Sequence, residues 1–407
     1  MQHTPLLAGV RVLDFTRIIA GPHATRTLAD FGADVIKVEE PHEGDHTRSE
    51  IAWGRNTRFI GYNYGKRSIA IDLKAPAGRD VALKLAAVSD VVVENFRPGV
   101  MRRLGLDYDA LRAINPRIIF CSISGFGHAS PAAERPLHAG MAHAISGIIH
   151  MDEREPRQLP ASLGDPIAAI HAVAGICAAL YAREKTGHGQ FIDIALLDVV
   201  FSMMGPQAEF RSVQGGAQRQ IIGQERSTST VPTGMFKGRD GWIVLGGGVE
   251  QPQWFRLANV IGRPDLARMP HTQRRAQAAM IYGLIDEWIM SVPTVAEAER
   301  ILAEGGVVAG KVQTPEEALK DPLVRERGLV VPMDDPITGP FEATAVPFHF
   351  SDAPVEIQGL PPGLGEHTRE VLSRVLGYDD AAIQQLYDEG VVFTEPVPDE
   401  IARSAAR

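Results

Sequence analysis

Leu163-Gly164-Asp165-Pro166, with the long apolar segment that follows and the closing Thr186-Gly187-His188-Gly189-Gln190, decides how this chain is read. The stretch reads as strand end, carboxylate, helix, tight turn and a new strand over residues 190–197. Pro166 directly follows Asp165, and proline is favoured at the first helical position because it leaves no N–H unpaired there. Asp165 therefore reads as an N-cap, its carboxylate accepting orphan N–H bonds and facing the positive helix end. Ile167, Ile170, Ala174, Ile176 and Leu180, with alanines between them, make the helix apolar nearly all round. That is the pattern of a buried rod whose small side chains admit close neighbours. Open α/β sheets carry their chemistry where a strand edge meets such a rod, and an N-cap can also be a reacting group.

Upstream, residues 10–15 form a short apolar run, Gly21-Pro22 opens a helical pattern that lasts to Phe31, and residues 33–39 read as the next strand. This is a βαβ unit closed by an acidic residue, superficially that of a dinucleotide fold. The G-x-G-x-x-G fingerprint is missing, however, so no nicotinamide cofactor is expected. Strands at 68–73, 90–94 and 117–122 alternate with helices at 78–87 and 100–104, the turn Asn95-Phe96-Arg97-Pro98-Gly99 and the loop Ser124-Gly125-Phe126-Gly127. Such alternation predicts a doubly wound, mostly parallel sheet, with ligands gathered at the carboxyl ends of its strands.

Residues 210–230 turn polar and glycine-bearing and read as a crossing linker. A smaller body follows, with a strand pair at 234–237 and 242–245 and helices around 254–261, 274–290 and 295–303. After Pro322 come strand-like runs at 329–333 and 346–350, then helices near 368–376 and 380–389.

At 407 residues the chain can hold two or three domains, and 44% hydrophobic with 22% charged residues is an ordinary globular composition. A formal net charge of −9 argues against nucleic acid or an anionic membrane as partner. Cys121 and Cys177 lie in apolar runs without metal-ligand spacing and read as reduced core residues of a cytoplasmic protein, with no metal. Residues 1–7 lack the pattern of an export signal, and no unbroken apolar run reaches the roughly 18 residues of a membrane span.

Several stretches, in order, carry a resemblance: Leu13-Asp14-Phe15-Thr16 with Ala20-Gly21-Pro22, Gly32 to Glu39, Lys66-Arg67-Ser68-Ile69, Glu94 to Gly99 with Leu104-Gly105, Asn115-Pro116-Arg117, Gly125-Phe126-Gly127, and Thr186 to Gln190. Together with Leu364-Gly365-Glu366-His367-Thr368 they resemble the class III coenzyme A transferases, the CaiB/BaiF family that includes formyl-CoA transferase, carnitine CoA-transferase and α-methylacyl-CoA racemase. The resemblance covers nearly the whole chain. It implies an α/β fold with a Rossmann-like large domain built from both chain ends and a smaller α+β domain, in an interlocked homodimer. The corresponding map is residues 1–209 for the CoA-binding domain, 210–233 for the linker, 234–321 for the small domain, and 322–407 for a linker and return to the large domain.

The resemblance makes Asp165 the nucleophile of a transfer of CoA from an acyl-CoA to a free carboxylic acid. Coenzyme A contacts carried over from the family fall on Arg17, Ile18 and Ala20, on Ile71, Leu73 and Lys74, on Asn95, Phe96 and Arg97, and on Arg103 and Leu104. Arginine and lysine suit the phosphates of such a ligand. Glu40 stands where some relatives carry a basic residue. Gly246-Gly247-Gly248 is not the glycine-run lid of some transferases and reads as a turn into the helix at Trp254. His138 falls where the racemase branch has its catalytic histidine, so a 2-methylacyl-CoA racemase using His138 and Asp165 is the alternative, as is movement of CoA within one dicarboxylic acid. Ala139 in place of the racemases' aspartate, and Ile167-Ala168-Ala169 in place of their glycine cluster, speak against it. His143 and His171, in apolar helical runs, are expected in the core or on the substrate wall.

Overall fold

The computed structural model describes residues 4–48, 56–150, 155–159, 162–205, 208–209, 212, 226–227, 230–246, 250–336 and 338–396. Two compact units emerge, one from Met1–Ser146, Gln158–Met203 and Leu323–Arg407, the other from Gly147–Arg157 and Met204–Pro322.

The first unit is built on parallel strands β1 (Arg11–Asp14), β2 (Asp34–Glu39), β3 (Arg67–Ile71), β4 (Val91–Glu94), β5 (Ile119–Ser124) and β6 (Phe191–Ala195). They lie in the order β3-β2-β1-β4-β5-β6, and Val392–Phe393 adds an antiparallel edge strand beside β3. A mixed α/β architecture with a seven-stranded, mostly parallel sheet results. Val91, Val92 and Val93 are all fully buried, as continuous apolar strands must be when helices cover both faces. Helix α1 (Ala20–Asp30) follows β1, α2 (Thr57–Tyr62) precedes β3, α3 (Pro76–Ala87) follows β3, and α4 (Val100–Leu104) follows β4. Val81, Ala82, Leu85 and Ala86 of α3 pack on Ile69, Ile71 and Val92 of the sheet. The order reverses between β1 and β4, so the crevice of a doubly wound sheet opens at the carboxyl ends of those two strands.

Helix α5 (Tyr108–Ile114), capped by Asp107, is not among the helices expected from the sequence, and the apolar helical run around His143 is α6 (Ala139–Ser146). Helix α7 (Gly164–Thr186) corrects the reading of Asp165 as an N-cap. The cap is Leu163, whose carbonyl accepts the Ile167 N–H, and Asp165 is the second helical residue. Pro166 is tolerated at the third because first-turn N–H groups have no intrahelical partner anyway. The helix is not buried all round either: Ala168, Ala172, Ile176 and Ala179 face inward, whereas Ile170 and Tyr181 are exposed. By length and composition α7 could cross a membrane; here it packs along α1 and the β5–β6 edge. The turn that follows α7 needs glycine, since a Cβ at Gly189 would collide with the Ile118 carbonyl. The strand expected to Leu197 stops at Ala195 and turns into helix α8 (Leu196–Ser202).

The expected strand at 346–350 is irregular; Pro347 has no N–H for a ladder. Val330–Asp335 instead pairs antiparallel with Gly339–Thr344.

In the second unit, antiparallel strands β7 (Gly234–Lys237), β8 (Trp242–Leu245) and β9 (Ala309–Lys311) pack Phe236 and Ile243 against Trp254, Ile281, Ile285 and Leu302. The helix expected over 274–290 is two, His271–Ala276 and Ala278–Ser291, interrupted at Gln277. Most of the expected linker, and Gly247 and Gly248, lie outside the described residues.

Candidate active site

The loop after β1 starts from a fully buried carboxylate. Asp14 receives the Thr16 N–H at 2.8 Å, the Thr25 hydroxyl at 2.7 Å and Lys66 Nζ at 3.0 Å. Burial alone would push Asp14 up, but Lys66 and Lys37 outweigh it and hold the carboxyl below its ordinary value. Lys37, buried on β2, donates to the Thr16 carbonyl at 2.7 Å and to Asp45 at 3.0 Å. The loop is also gripped from across the crevice. Asn95 accepts the Arg17 N–H at 2.9 Å and donates to the Arg17 carbonyl at 2.8 Å. The Arg17 guanidinium then lies 4.5 Å over the Phe96 ring.

Two cavities are lined by this loop, and a third shares lining residues with the first of them. One, of about 180 Å³, is lined by Arg17, Ile71, Leu73, Lys74, Phe96 and Leu104 among others. A second, of about 210 Å³, contains Ile18, Ala20, Asn95, Phe96, Arg97, Arg135, His138 and Asp165. The third, of about 490 Å³, holds Leu73, Lys74, Arg79, Arg103 and Leu104. Phe96 belongs to the first and second, while Leu73, Lys74 and Leu104 belong to the first and third. Every residue singled out from the sequence for CoA or catalysis lines one of these three cavities, which share lining residues. Asn95 differs from expectation in one respect, since its amide is engaged with backbone.

Asp165 is half-buried at the first turn of α7, and its Oδ2 accepts the Ser162 hydroxyl at 2.8 Å. Burial pushes the carboxyl above its ordinary value, while Ser162 and the nearby His138 and His143 pull it back. A desolvated carboxylate is a more basic nucleophile than a hydrated one, and the helix dipole keeps its anion accessible. Gly164 permits the placement: a Cβ there would stand 3.1 Å from the Ala139 Cβ and 3.2 Å from Val200 Cγ2. Close approach at Gly164 brings Asp165 against the start of α6, where His138 sits exposed. His143 is buried with its Nε2 unpartnered among the described residues, as a core histidine was expected to be. His171, expected in the core or on the substrate wall, is instead exposed on the open face of α7, its Nδ1–H donating to the Ile167 carbonyl at 2.8 Å.

Charge is unevenly distributed along the cavities. Lys74 is paired with Glu40 at 2.7 Å, both exposed. Arg79, Arg97, Arg103 and Arg135 are exposed and have no carboxylate partner among the described residues. Arg79 was not singled out from the sequence, although a cation near the start of a helix opposes the helix dipole and is a hint of an anion nearby. Arg135 and Ser162 carry no such signal. Among the described residues no cluster of His, Cys, Asp and Glu could hold a metal ion.

Comparison with known proteins shows the family. Residues 7–368 match the model of CoA-transferase family III. A human succinyl-CoA:glutarate CoA-transferase is 33% identical over 96% of this chain and 91% of its own length. A formyl-CoA:oxalate CoA-transferase of Rhodopseudomonas palustris is 34% identical over 95% of this chain and 97% of its own. The crystal structure of a CAIB/BAIF family protein from Brucella suis, 33% identical, superposes with a TM-score of 0.81 and covers 92% of this chain and all of that one. The chain belongs to CoA-transferase family III.

Proposed function

We propose that this CoA-transferase works through Asp165 as a covalent nucleophile. Its carboxylate attacks the thioester carbonyl of an acyl-CoA, forming a mixed anhydride and expelling CoA thiolate. The thiolate attacks the aspartyl carbonyl of the anhydride, giving an aspartyl-CoA thioester and releasing the donor acid. An acceptor carboxylate attacks that thioester, and the CoA thiolate again leaves. It then attacks the acceptor's acyl carbon in the new anhydride, which yields the product thioester and returns Asp165 as a carboxylate. Splitting one exchange into such steps is the purpose of covalent catalysis. N–H groups at the start of α7 are suited to the oxyanions that form along the way.

One observation carries the reading: the Asp165 cavity and the Arg17–Lys74 cavity adjoin through Phe96. A CoA molecule whose phosphates meet Lys74, Arg79 and Arg103 can thus extend its thioester toward Asp165. Arg97 and Arg135 line the same cavity as that carboxylate and suit a second, acceptor carboxylate, in keeping with small dicarboxylic acids such as those in the relatives' names. Those relatives are transferases, which does not favour α-proton exchange between His138 and Asp165. The test is mass spectrometry of the purified protein with panels of acyl-CoAs and free acids in heavy water. New acyl-CoA species, lost in Asp165→Asn while free CoA still binds, are expected. Undiminished transfer in that variant, or deuterium at the α-carbon without a new thioester, would refute the mechanism.

The domain map above belongs to the same proposal, and so does a dimer of interlocked chains working in the cytoplasm. Its support is the set of exposed apolar side chains on three mutually packed helices: Met141 and Ile145 of α6, Ile170 and Tyr181 of α7, and Phe201 of α8. A monomeric mass in analytical ultracentrifugation would remove it.

A further inference from the structure

Ile18 holds its backbone at φ +74°. A β-branched residue resists this left-handed conformation, because its Cβ crowds the backbone. Little in its own side chain compensates, since Ile18 is 38% exposed. What supports it is its N–H, which points at both carboxylate oxygens of Asp45, at 3.1 and 3.3 Å. Asp45 is itself 2% exposed and is held by Lys37 Nζ at 3.0 Å and by the Thr47 N–H at 2.9 Å. Lys37 also fastens the Thr16 carbonyl, and Asn95 fastens both polar groups of the Arg17 backbone. Residues 16–18 are thus clamped from β2 on one side and from β4 on the other. Strained backbone persists only where its surroundings over-determine it, and it gathers at ligand clamps. Here it lies on the ridge between cavities, with Arg17 lining one and Ile18 the other.

We propose that Asp45, backed by Lys37, is a positioning residue that holds Ile18 left-handed and so shapes the ridge over which the thioester arm of acyl-CoA reaches Asp165. The proposal rests on the assignment of the two cavities to acyl-CoA. If Ile18 relaxes, the peptide between Arg17 and Ile18 turns, and the two side chains leave their cavities together. The competing account is that Asp45 only neutralises a buried lysine.

Glycine separates the two, because it adopts positive φ without the Cβ penalty. Binding of free CoA is measured by calorimetry, with thermal melting, for the parent, Asp45→Ala, Ile18→Gly and the double variant. Asp45→Ala is expected to weaken CoA binding roughly tenfold, and added Ile18→Gly to bring it back to within about threefold of Ile18→Gly alone. A double variant that binds as weakly as Asp45→Ala overturns the proposal, since a purely structural loss is not mended at Ile18. Should Asp45→Ala melt without a cooperative transition, Asp45→Asn takes its place in the same comparison. Its amide oxygen still accepts from Lys37 but cannot serve Ile18 equally. A parent protein that fails to bind CoA overturns both this proposal and the cavity assignment. A parent that binds, with no rescue in the double variant, overturns this proposal alone.

Discussion

Glu94 ends β4 at 3% exposure, directly before the turn whose residues line the candidate site. Its carboxylate accepts the Phe96 N–H at 2.8 Å and lies beside Ser122 of the neighbouring strand. Burial raises this carboxyl from its ordinary 4.5 to about 7, with the charge of Asp193 adding to the rise and the bonds from Ser122 and Phe96 opposing it. The folded protein therefore keeps a proton on Glu94 where the unfolded chain has lost it. Stability from this group is fully present below about pH 4.5 and is lost as pH rises through about 7. At about 1.4 kcal/mol for each pH step, the loss comes to about 3 kcal/mol. Glu94→Gln keeps an acceptor for Phe96 and cannot ionise, so it removes that slope and leaves the contributions of all other groups in place. Urea unfolding of the two proteins from about pH 4.5 to about pH 8 gives the difference directly. The variant should gain on the parent by about 3 kcal/mol over that range. A constant difference would show that Glu94 is ionised in the fold or hydrated, and the account of the β4 end would be wrong.

Lys66→Met leaves the buried Asp14 carboxylate without its nearest cation and should cost about 3 kcal/mol in urea unfolding at neutral pH; a loss near zero would mean that Lys37 suffices. Gly164→Ala forces a Cβ against Ala139 and Val200 and moves the start of α7 by a few tenths of an ångström, so kcat should fall about tenfold while CoA affinity holds. Steady-state kinetics beside CoA calorimetry checks that split, and parallel losses in both would contradict it. Glu40→Gln frees Lys74 from its exposed ion pair and should tighten CoA binding about threefold at low salt, an advantage that high salt erases. Unchanged affinity at low salt would place the CoA phosphates away from Lys74.

Much of the scaffold was legible because its signals are local. Strand runs such as 90–94, the Thr186-Gly187 helix stop and the 234–237/242–245 pair are written in neighbouring residues, and the structure places them within a residue or two. Family motifs likewise directed attention to Asp165, Arg17 and Phe96. The misreadings arose where two local rules compete. Pro166 was placed at the first helical position, yet any first-turn position spares its missing N–H. The strand-like run at 346–350 contains a proline that cannot join a ladder.

What the sequence by itself determined, then, is which segments become strands and helices and where Asp165 stands along the chain. Only the tertiary structure decided that Asn95 closes on Arg17 from 78 residues away, and that Asp45 holds Ile18 from 27 away. It alone decided that Gly164 lets α7 press against Ala139. The physical reason is the strand order. With β4 laid beside β1, two loops distant in sequence share one crevice, and bonds across it leave no periodicity in either segment.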